Sequence, residues 1–156
     1  MEHPLLGKKA PEFSLVDQNE KTHTLADYAG QYVLLYFYPK DMTPGCTTQA
    51  CTFRDSMNDF DGSGVQVLGI SADSVEKHKK FAEKYDLNFP LLADEEKTML
   101  QDYNVWKEKN MFGKKYMGIQ RDSFLVGPDG TVVKYYKKVK PATHPAEVLA
   151  DVAAMQ

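Results

Sequence analysis

The chain has 156 residues, of which 42% are hydrophobic and 26% are charged, and this balance is typical of a globular protein and excludes an intrinsically disordered one. A formal net charge of −3 provides no broad positive field, so we expect no nucleic-acid partner. The first residues lack the pattern of a signal peptide and no apolar run approaches the length of a membrane span, so we expect no membrane association and a cytoplasmic location.

The first half of the chain predicts a hairpin, a buried strand and a helix. Two short alternating pieces, 13–16 and 22–25, flank a polar turn and predict an N-terminal β-hairpin. The unbroken run YVLLYFY at 32–38 is too short for a typical helix and predicts a strand buried on both faces. A helix is predicted over 46–60 because its apolar residues recur every three or four positions, at Cys46, Ala50, Phe53, Met57 and Phe60.

The second half continues the alternation of strands and helices. The predicted elements are a strand at 65–71, a helix at 75–85, a strand at 89–93, a short helix with Asp94 as its N-cap, and a C-terminal helix at 145–155. Residues 104–118 show no period and predict an irregular loop, whereas 119–126 and 131–138 flank a Gly-Pro-Asp-Gly turn and predict an antiparallel hairpin. The order strand, helix, strand indicates a parallel crossover, and no repeat or linker divides the chain. We therefore expect one α/β domain over residues 1–156, with a central mixed β-sheet flanked by helices and an N-terminal β-hairpin extension.

The only two cysteines, Cys46 and Cys51, lie five positions apart. Pro44 and Gly45 fit poorly inside a helix, so Cys46 is expected in the opening turn of the helix that follows. Unpaired N–H groups and the positive end of the helix dipole favour a thiolate there, and the thiolate is the nucleophilic form. An alternative remains open from position alone, because Cys46 also lies on the apolar stripe and a buried free cysteine often acts as a small hydrophobic residue.

Thr43 and Pro39, which precede Cys46 in the chain, extend this candidate site. Thr43 can turn its hydroxyl back toward the sulfur, while Pro39 ends the buried strand and shields the site. Pro39, Thr43 and Cys46 fit the pattern of proline, three residues, threonine, two residues and cysteine, and on these residues the chain resembles the peroxiredoxins. The segment YFYPKDMTPGCTTQACTFRD is similar to the bacterioferritin-comigratory, or peroxiredoxin Q, branch. This resemblance implies a thioredoxin-like fold.

The resemblance also implies that an arginine completes the site, and in this sequence it corresponds to Arg121 in GIQRDSF. A fixed guanidinium stabilises a thiolate and donates to peroxide oxygens in a planar fork, which a lysine does less well. For an arbitrary arginine the ordinary alternative is a surface ion pair.

The spacing of the two cysteines bears on the role of Cys51. Five residues correspond to about 140° around a helix and about 7.5 Å along it, which does not suit a disulfide within an intact helix. We hypothesise that Cys46 reduces hydrogen peroxide or an organic hydroperoxide and becomes a sulfenic acid. Cys51 then forms an intrachain disulfide with Cys46 while the helix start unwinds. The resemblance implies thioredoxin, or a similar dithiol, as the reductant, and we expect a monomer.

Two other functions share some of these sequence features. A thiol-disulfide oxidoreductase would share the fold but usually has two residues between its cysteines, not four. A metal-binding protein could combine the cysteines with histidines, but these are scattered singly, at His3, His23, His78 and His144. The sequence has no phosphate-binding loop and no dinucleotide fingerprint, so we expect neither an organic cofactor nor a metal.

Overall fold

The computed structural model describes residues 3–156. Its strands are β1 (Ser14–Val16), β2 (Thr22–Thr24), β3 (Tyr32–Phe37), β4 (Val65–Ser71), β5 (Leu91–Ala93), β6 (Trp106–Met111), β7 (Lys114–Ile119), β8 (Ser123–Val126) and β9 (Val132–Tyr136). Its α-helices are α1 (Pro44–Asp55), α2 (Met57–Gly62), α3 (Val75–Tyr85), α4 (Thr98–Asp102) and α5 (His144–Met155), and a 3-10 turn covers Leu25–Tyr28.

A five-stranded mixed sheet lies at the centre, in the order β5-β4-β3-β8-β9. The strands β3, β4 and β5 pair in parallel, whereas β8 is antiparallel to both β3 and β9. The unbroken apolar run of β3 explains its central place, since both of its faces are covered. The predicted mixed sheet and the N-terminal hairpin of β1 and β2 are confirmed.

Alternate residues of β3 contribute to two separate cores. Leu34 and Tyr36 pack on one face with apolar side chains of α1, α2, α3 and α5. Val33 and Leu35 pack on the other face with the N-terminal segment and α4. Because successive side chains of a strand point to opposite faces, one apolar strand supports both layers. The candidate cysteines belong to α1, on the first of these faces.

The helix predicted over 46–60 is divided in two at Ser56. The backbone of Ser56, with φ −98° and ψ 3°, is not helical, so this residue is both the C-cap of α1 and the N-cap of α2. The five apolar positions predicted to face inward are nevertheless all buried, at Cys46, Ala50, Phe53, Met57 and Phe60. Because the apolar stripe continues across the break, the sequence pattern does not reveal where the first helix ends.

Residues 104–118 differ from the prediction. They are not an irregular loop, since most of them form an antiparallel hairpin of β6 and β7, and Ile119 ends β7 instead of starting the next strand. The hairpin turns at Phe112 and Gly113, with φ 53° and 82°. Its strands are largely exposed and rich in lysine, so they carry no apolar alternation from which a strand could be predicted.

The short helix after Asp94 also starts later than predicted. α4 begins at Thr98, so Asp94 does not occupy the N-cap position. Its carboxylate still accepts a hydrogen bond from the backbone N–H of Leu100, 2.8 Å away, and so meets one of the unpaired donors of the helix start.

Within residues 3–156, no helix combines the length and the apolar character that crossing a bilayer requires.

Candidate active site

The start of α1 carries Cys46. Thr43 is the N-cap and Pro44 is the first helical residue, where its missing N–H costs nothing. Cys46 therefore lies in the first turn, as expected, and is only 1% exposed. A negative charge in the first turn of a helix is stabilised by roughly 0.3–1 kcal/mol. Cys46 thus combines a buried side chain with a place in the helix turn where the dipole stabilises negative charge.

The hydroxyl of Thr43 is oriented differently from the expectation. It donates to the backbone carbonyl of Lys40, 2.8 Å away, and is therefore engaged within its own loop. Its oxygen can still accept a hydrogen bond, but in this conformation it does not serve as a donor near the sulfur. Thr43 thus joins the loop to the helix start.

Pro39 follows β3 and borders a cavity of about 360 Å³. The cavity lies between this loop and the hairpin of β6 and β7, and Trp106, Lys109 and Ile119 contribute to its wall. An open space therefore adjoins the loop that leads to Cys46, although Cys46 itself does not line it.

Arg121 approaches the start of α1 from the segment between β7 and β8. Its Nη1 donates to Oε1 of Gln49 at 2.8 Å. A Cβ atom placed on Gly45 would lie 3.1 Å from Nη2, so the guanidinium lies directly against the residue before Cys46. The backbone carbonyl of Arg121 accepts from the N–H of Val139 at 2.9 Å, which anchors the segment. The structure thus brings Arg121 to the helix start, as the resemblance implies.

Further titratable groups surround Cys46. Burial lowers the pKa of Lys109 and the charge of Arg121 lowers it further, while Cys46 opposes this shift. The Nζ of Lys109 donates to the carbonyl of Ile119 at 2.6 Å. Burial also raises the pKa of Tyr36 well above its usual value, and the negative charge of Cys46 adds to this effect. The charges of Lys109 and Arg121 and the phenol of Tyr36 thus lie within electrostatic reach of Cys46.

Cys51 lies in the same helix, about 1.4 turns further along its axis than Cys46. Both cysteines are free thiols, and Cys51 is half-buried whereas Cys46 is buried. Because α1 is continuous from Pro44 to Asp55, the two side chains point in different directions around the helix. The geometry expected from the spacing is the one observed.

Two residues near the site, Gln49 and Lys109, were not predicted from the sequence. Gln49 follows Cys46 by three positions and is fully buried, so a polar residue beside an apolar helical stripe was the available signal. Lys109 belongs to the hairpin of β6 and β7, which the sequence did not reveal, and nothing in its surroundings distinguishes it in the sequence.

A metal centre built on the cysteines finds no support in the arrangement of the side chains. Within the described part of the chain, a group close enough to share a cation consists of Asp41, Asp73 and His78, and it contains neither cysteine. The rings of His23 and His144 instead bond neighbouring side chains, at Asp17 and Ser123 respectively.

Comparison with known proteins places these features in a family context. Residues 6–135 match the model of the AhpC/TSA family. The chain is 49% identical to peroxiredoxin Bcp of Bacillus subtilis over 96% of both chains. It is 50% identical to peroxiredoxin Bcp of Escherichia coli K12 over 92% of both chains.

Solved structures agree with the sequence comparison. The bacterioferritin comigratory protein of Xanthomonas campestris, described in connection with its alkyl peroxide reduction activity, is 41% identical with a TM-score of 0.87, and the match covers 92% of this chain and 91% of that one. Peroxidoxin BcpB of Mycobacterium tuberculosis is 33% identical with a TM-score of 0.86 over 99% of both chains. These neighbours confirm the expected thioredoxin-like fold.

Proposed function

The chain belongs to the AhpC/TSA family and is a peroxiredoxin, a thiol-dependent peroxidase, and from this premise we propose how its own residues carry out the reaction. Cys46 is the attacking sulfur. The observation that carries this assignment is the position of Cys46 in the first turn of α1, with the guanidinium of Arg121 against the preceding Gly45. Pro39 shields the site and Thr43 fixes the loop.

In the first step the thiolate of Cys46 attacks one oxygen of hydrogen peroxide or an organic hydroperoxide. An S–O bond forms as the O–O bond breaks, so the sulfur is oxidised to a sulfenic acid and the leaving oxygen takes up a proton to become water or an alcohol. Arg121 donates hydrogen bonds to the oxygens on which negative charge develops, and such charge-assisted bonds are the strongest available to a planar donor.

In the second step Cys51 resolves the sulfenic acid. The sulfur of Cys51 attacks the sulfur of Cys46, and a disulfide forms as water is released. Five helical residues separate the cysteines by about 7.5 Å along the axis, which an intact helix does not allow a disulfide to bridge. The first turns of α1 therefore unwind when the bond forms.

The cycle closes when an external dithiol reduces the disulfide, and thioredoxin is the reductant we propose. The chain works as one domain over residues 1–156 and as a monomer, since both cysteines of the cycle come from one helix. A cytoplasmic location suits this chemistry, because a reducing compartment supplies dithiols.

Two cysteine variants test the assignment. Cys46→Ser is expected to abolish peroxide consumption in the presence of thioredoxin and its reductase. Cys51→Ser is expected to consume about one equivalent of peroxide per chain and then stall, because a sulfenic acid forms but is not resolved. Full turnover by both variants would overturn the assigned roles.

The oxidoreductase alternative calls for a separate measurement. The unmodified protein should oxidise thioredoxin in the presence of peroxide and should show no appreciable reduction of insulin disulfides. Rapid insulin reduction without any peroxide effect would instead favour a thiol-disulfide oxidoreductase.

A further inference from the structure

A buried polar network lies beneath the loop that leads to Cys46. It consists of Tyr38, Asp41, Asp73 and His78, whose exposed fractions are 1%, 5%, 8% and 0%. None of these residues has a role in the two steps proposed above. Burying charged groups costs free energy unless they are paired. A network of this kind therefore needs a structural or functional reason.

Asp41 is held at three points. The hydroxyl of Tyr38 donates to its Oδ1 at 2.6 Å, and Nδ1 of His78 lies 2.6 Å from its Oδ2. Its backbone N–H donates to the carboxylate of Asp73 at 2.8 Å. Both the side chain and the backbone of Asp41 are therefore fixed.

The far ends of the network reach rigid elements. Nε2 of His78, which belongs to α3, lies 3.1 Å from the carbonyl of Leu92 in β5. The carboxylate of Asp73 accepts from the hydroxyl of Ser71, the last residue of β4, at 2.7 Å. The loop at Asp41 is thus tied to two strands of the central sheet and to α3.

Met42, next to Asp41, has an unfavourable backbone conformation. Its φ of 67° lies in the left-handed region, which a residue with a side chain keeps only where its surroundings hold it. Met42 is 43% exposed, so the anchored Asp41 on its N-terminal side supplies much of that constraint. Thr43, the N-cap of α1, follows directly.

We propose that Asp41 and His78 form a positioning pair for peroxide reduction. The pair holds the loop at 39–43, and with it the first turn of α1, in the conformation in which Cys46 attacks the peroxide. This proposal rests on the proposed function, because it takes Cys46 as the attacking residue.

Loss of the pair is expected to slow the first step of the reaction without slowing the second. Attack on peroxide needs the helix start in place, so a loosened loop slows it. Disulfide formation needs the first turns of α1 to unwind, so a loosened loop leaves it unchanged or speeds it. A general loss of stability has no reason to produce this divergence.

His78→Gln tests the pair, and the chain offers a matched control. The two ring nitrogens of His78 reach Asp41 and Leu92 from opposite edges of the ring, whereas glutamine has a single amide nitrogen and does not reproduce both contacts. The control is His23→Gln, because His23 is also buried and also bonds an aspartate and a tyrosine, Asp17 and Tyr28, but in the N-terminal hairpin. Both steps are followed after mixing with hydrogen peroxide, by acid quench and mass spectrometry, and the first is also followed alone in the Cys51→Ser background.

His78→Gln is expected to lower the rate constant of sulfenic acid formation by at least about tenfold, since misplacement of a reacting group from a distance can cost up to about 100-fold. Disulfide formation should proceed at the original rate or faster, and His23→Gln should leave both rates near their original values. An unchanged first step in His78→Gln, or equal losses in both histidine variants, would overturn the proposal.

Two further variants keep the test valid if His78→Gln folds poorly. Tyr38→Phe removes only the hydroxyl that bonds Asp41, and should lower the rate of the first step in the same direction but less. Met42→Gly, added to His78→Gln, should restore part of the lost rate because glycine adopts a positive φ without steric strain. No loss in the first and no recovery in the second would contradict the positioning role. Peroxide consumption by Cys46→Ser would instead refute the proposed function itself.

Discussion

Gln49 is fully buried in α1, and only one end of its amide is hydrogen-bonded. Its Oε1 accepts from Arg121, whereas its Nε2 has no hydrogen-bond partner within residues 3–156. A buried donor without a partner costs roughly 1–3 kcal/mol. The side chain therefore contributes to the placement of Arg121 at some expense to stability.

Replacement of Gln49 should separate these two effects. Gln49→Met keeps the shape but removes both polar ends, so the free energy of unfolding should stay unchanged or rise, while peroxide attack by Cys46 should slow by about tenfold because Arg121 loses its acceptor. Urea denaturation and the quench assay measure the two quantities. An unchanged rate of peroxide attack in Gln49→Met would contradict the explanation.

At the scale of single residues, the sequence predicted the features that depend only on residues close together in the chain. The place of Cys46 in the first helical turn followed from Pro44 and Gly45, because helix starts obey steric and capping rules. Arg121 could be assigned only through the resemblance, since its approach to Gly45 is a contact between segments far apart in the chain. The orientation of the Thr43 hydroxyl toward Lys40 depends on loop geometry that no spacing encodes.

At the scale of elements, the hairpin of β6 and β7 has an unusual turn. Phe112 and Gly113 both have positive φ, as the two-residue turns favoured in hairpins require, but the first position is usually asparagine, aspartate or glycine. Phe112 is also fully exposed, so its ring gains nothing from burial. The turn therefore keeps a strained residue without compensation from packing.

Phe112→Asn should stabilise the protein by about 1 kcal/mol, because asparagine tolerates the left-handed region and phenylalanine does not. Thermal and urea denaturation followed by circular dichroism measure the gain. Phe112→Ala is the control, since it removes the ring without easing the backbone and should give no comparable gain. Equal stabilisation by both variants would attribute the effect to the exposed ring instead.

The same hairpin explains which elements the sequence could and could not predict. Strands β3 and β4 were predicted from their unbroken apolar runs, and α3 from its amphipathic period, because burial dictates those patterns. The strands β6 and β7 pair through their backbones while their side chains stay largely exposed, so the sequence carries no burial signal there. The break at Ser56 could not be predicted either, because the stripe of buried apolar residues continues from α1 into α2 without interruption.

At the scale of the whole molecule, α1 is secured at one end more firmly than at the other. Phe53 in its second half is fully buried and its ring contacts those of Tyr36, Phe60 and Phe89. Replacement of such a phenylalanine by alanine typically costs about 3–5 kcal/mol. The unwinding that a disulfide between Cys46 and Cys51 demands is therefore confined to the first turns.

Hydrogen exchange should reveal this confinement. After oxidation with an equimolar amount of peroxide, backbone amides in the first turns of α1 should exchange faster, whereas those of β3, β4 and the region around Phe53 should keep their protection. Cys51→Ser, which cannot form the disulfide, should keep the whole helix protected after the same treatment. Loss of protection across the central sheet would contradict a local rearrangement.

Trp106 is the only tryptophan of the chain, and it lines the cavity beside Pro39, with the ammonium of Lys97 5.6 Å from the centre of its ring. Indole emission responds to nearby charge and to water, and here it arises from a single location. The protein thus carries an intrinsic fluorophore beside the loop that leads to Cys46. We therefore expect oxidation of Cys46 and unwinding of the helix start to change this emission, which stopped-flow fluorescence would follow without a dye.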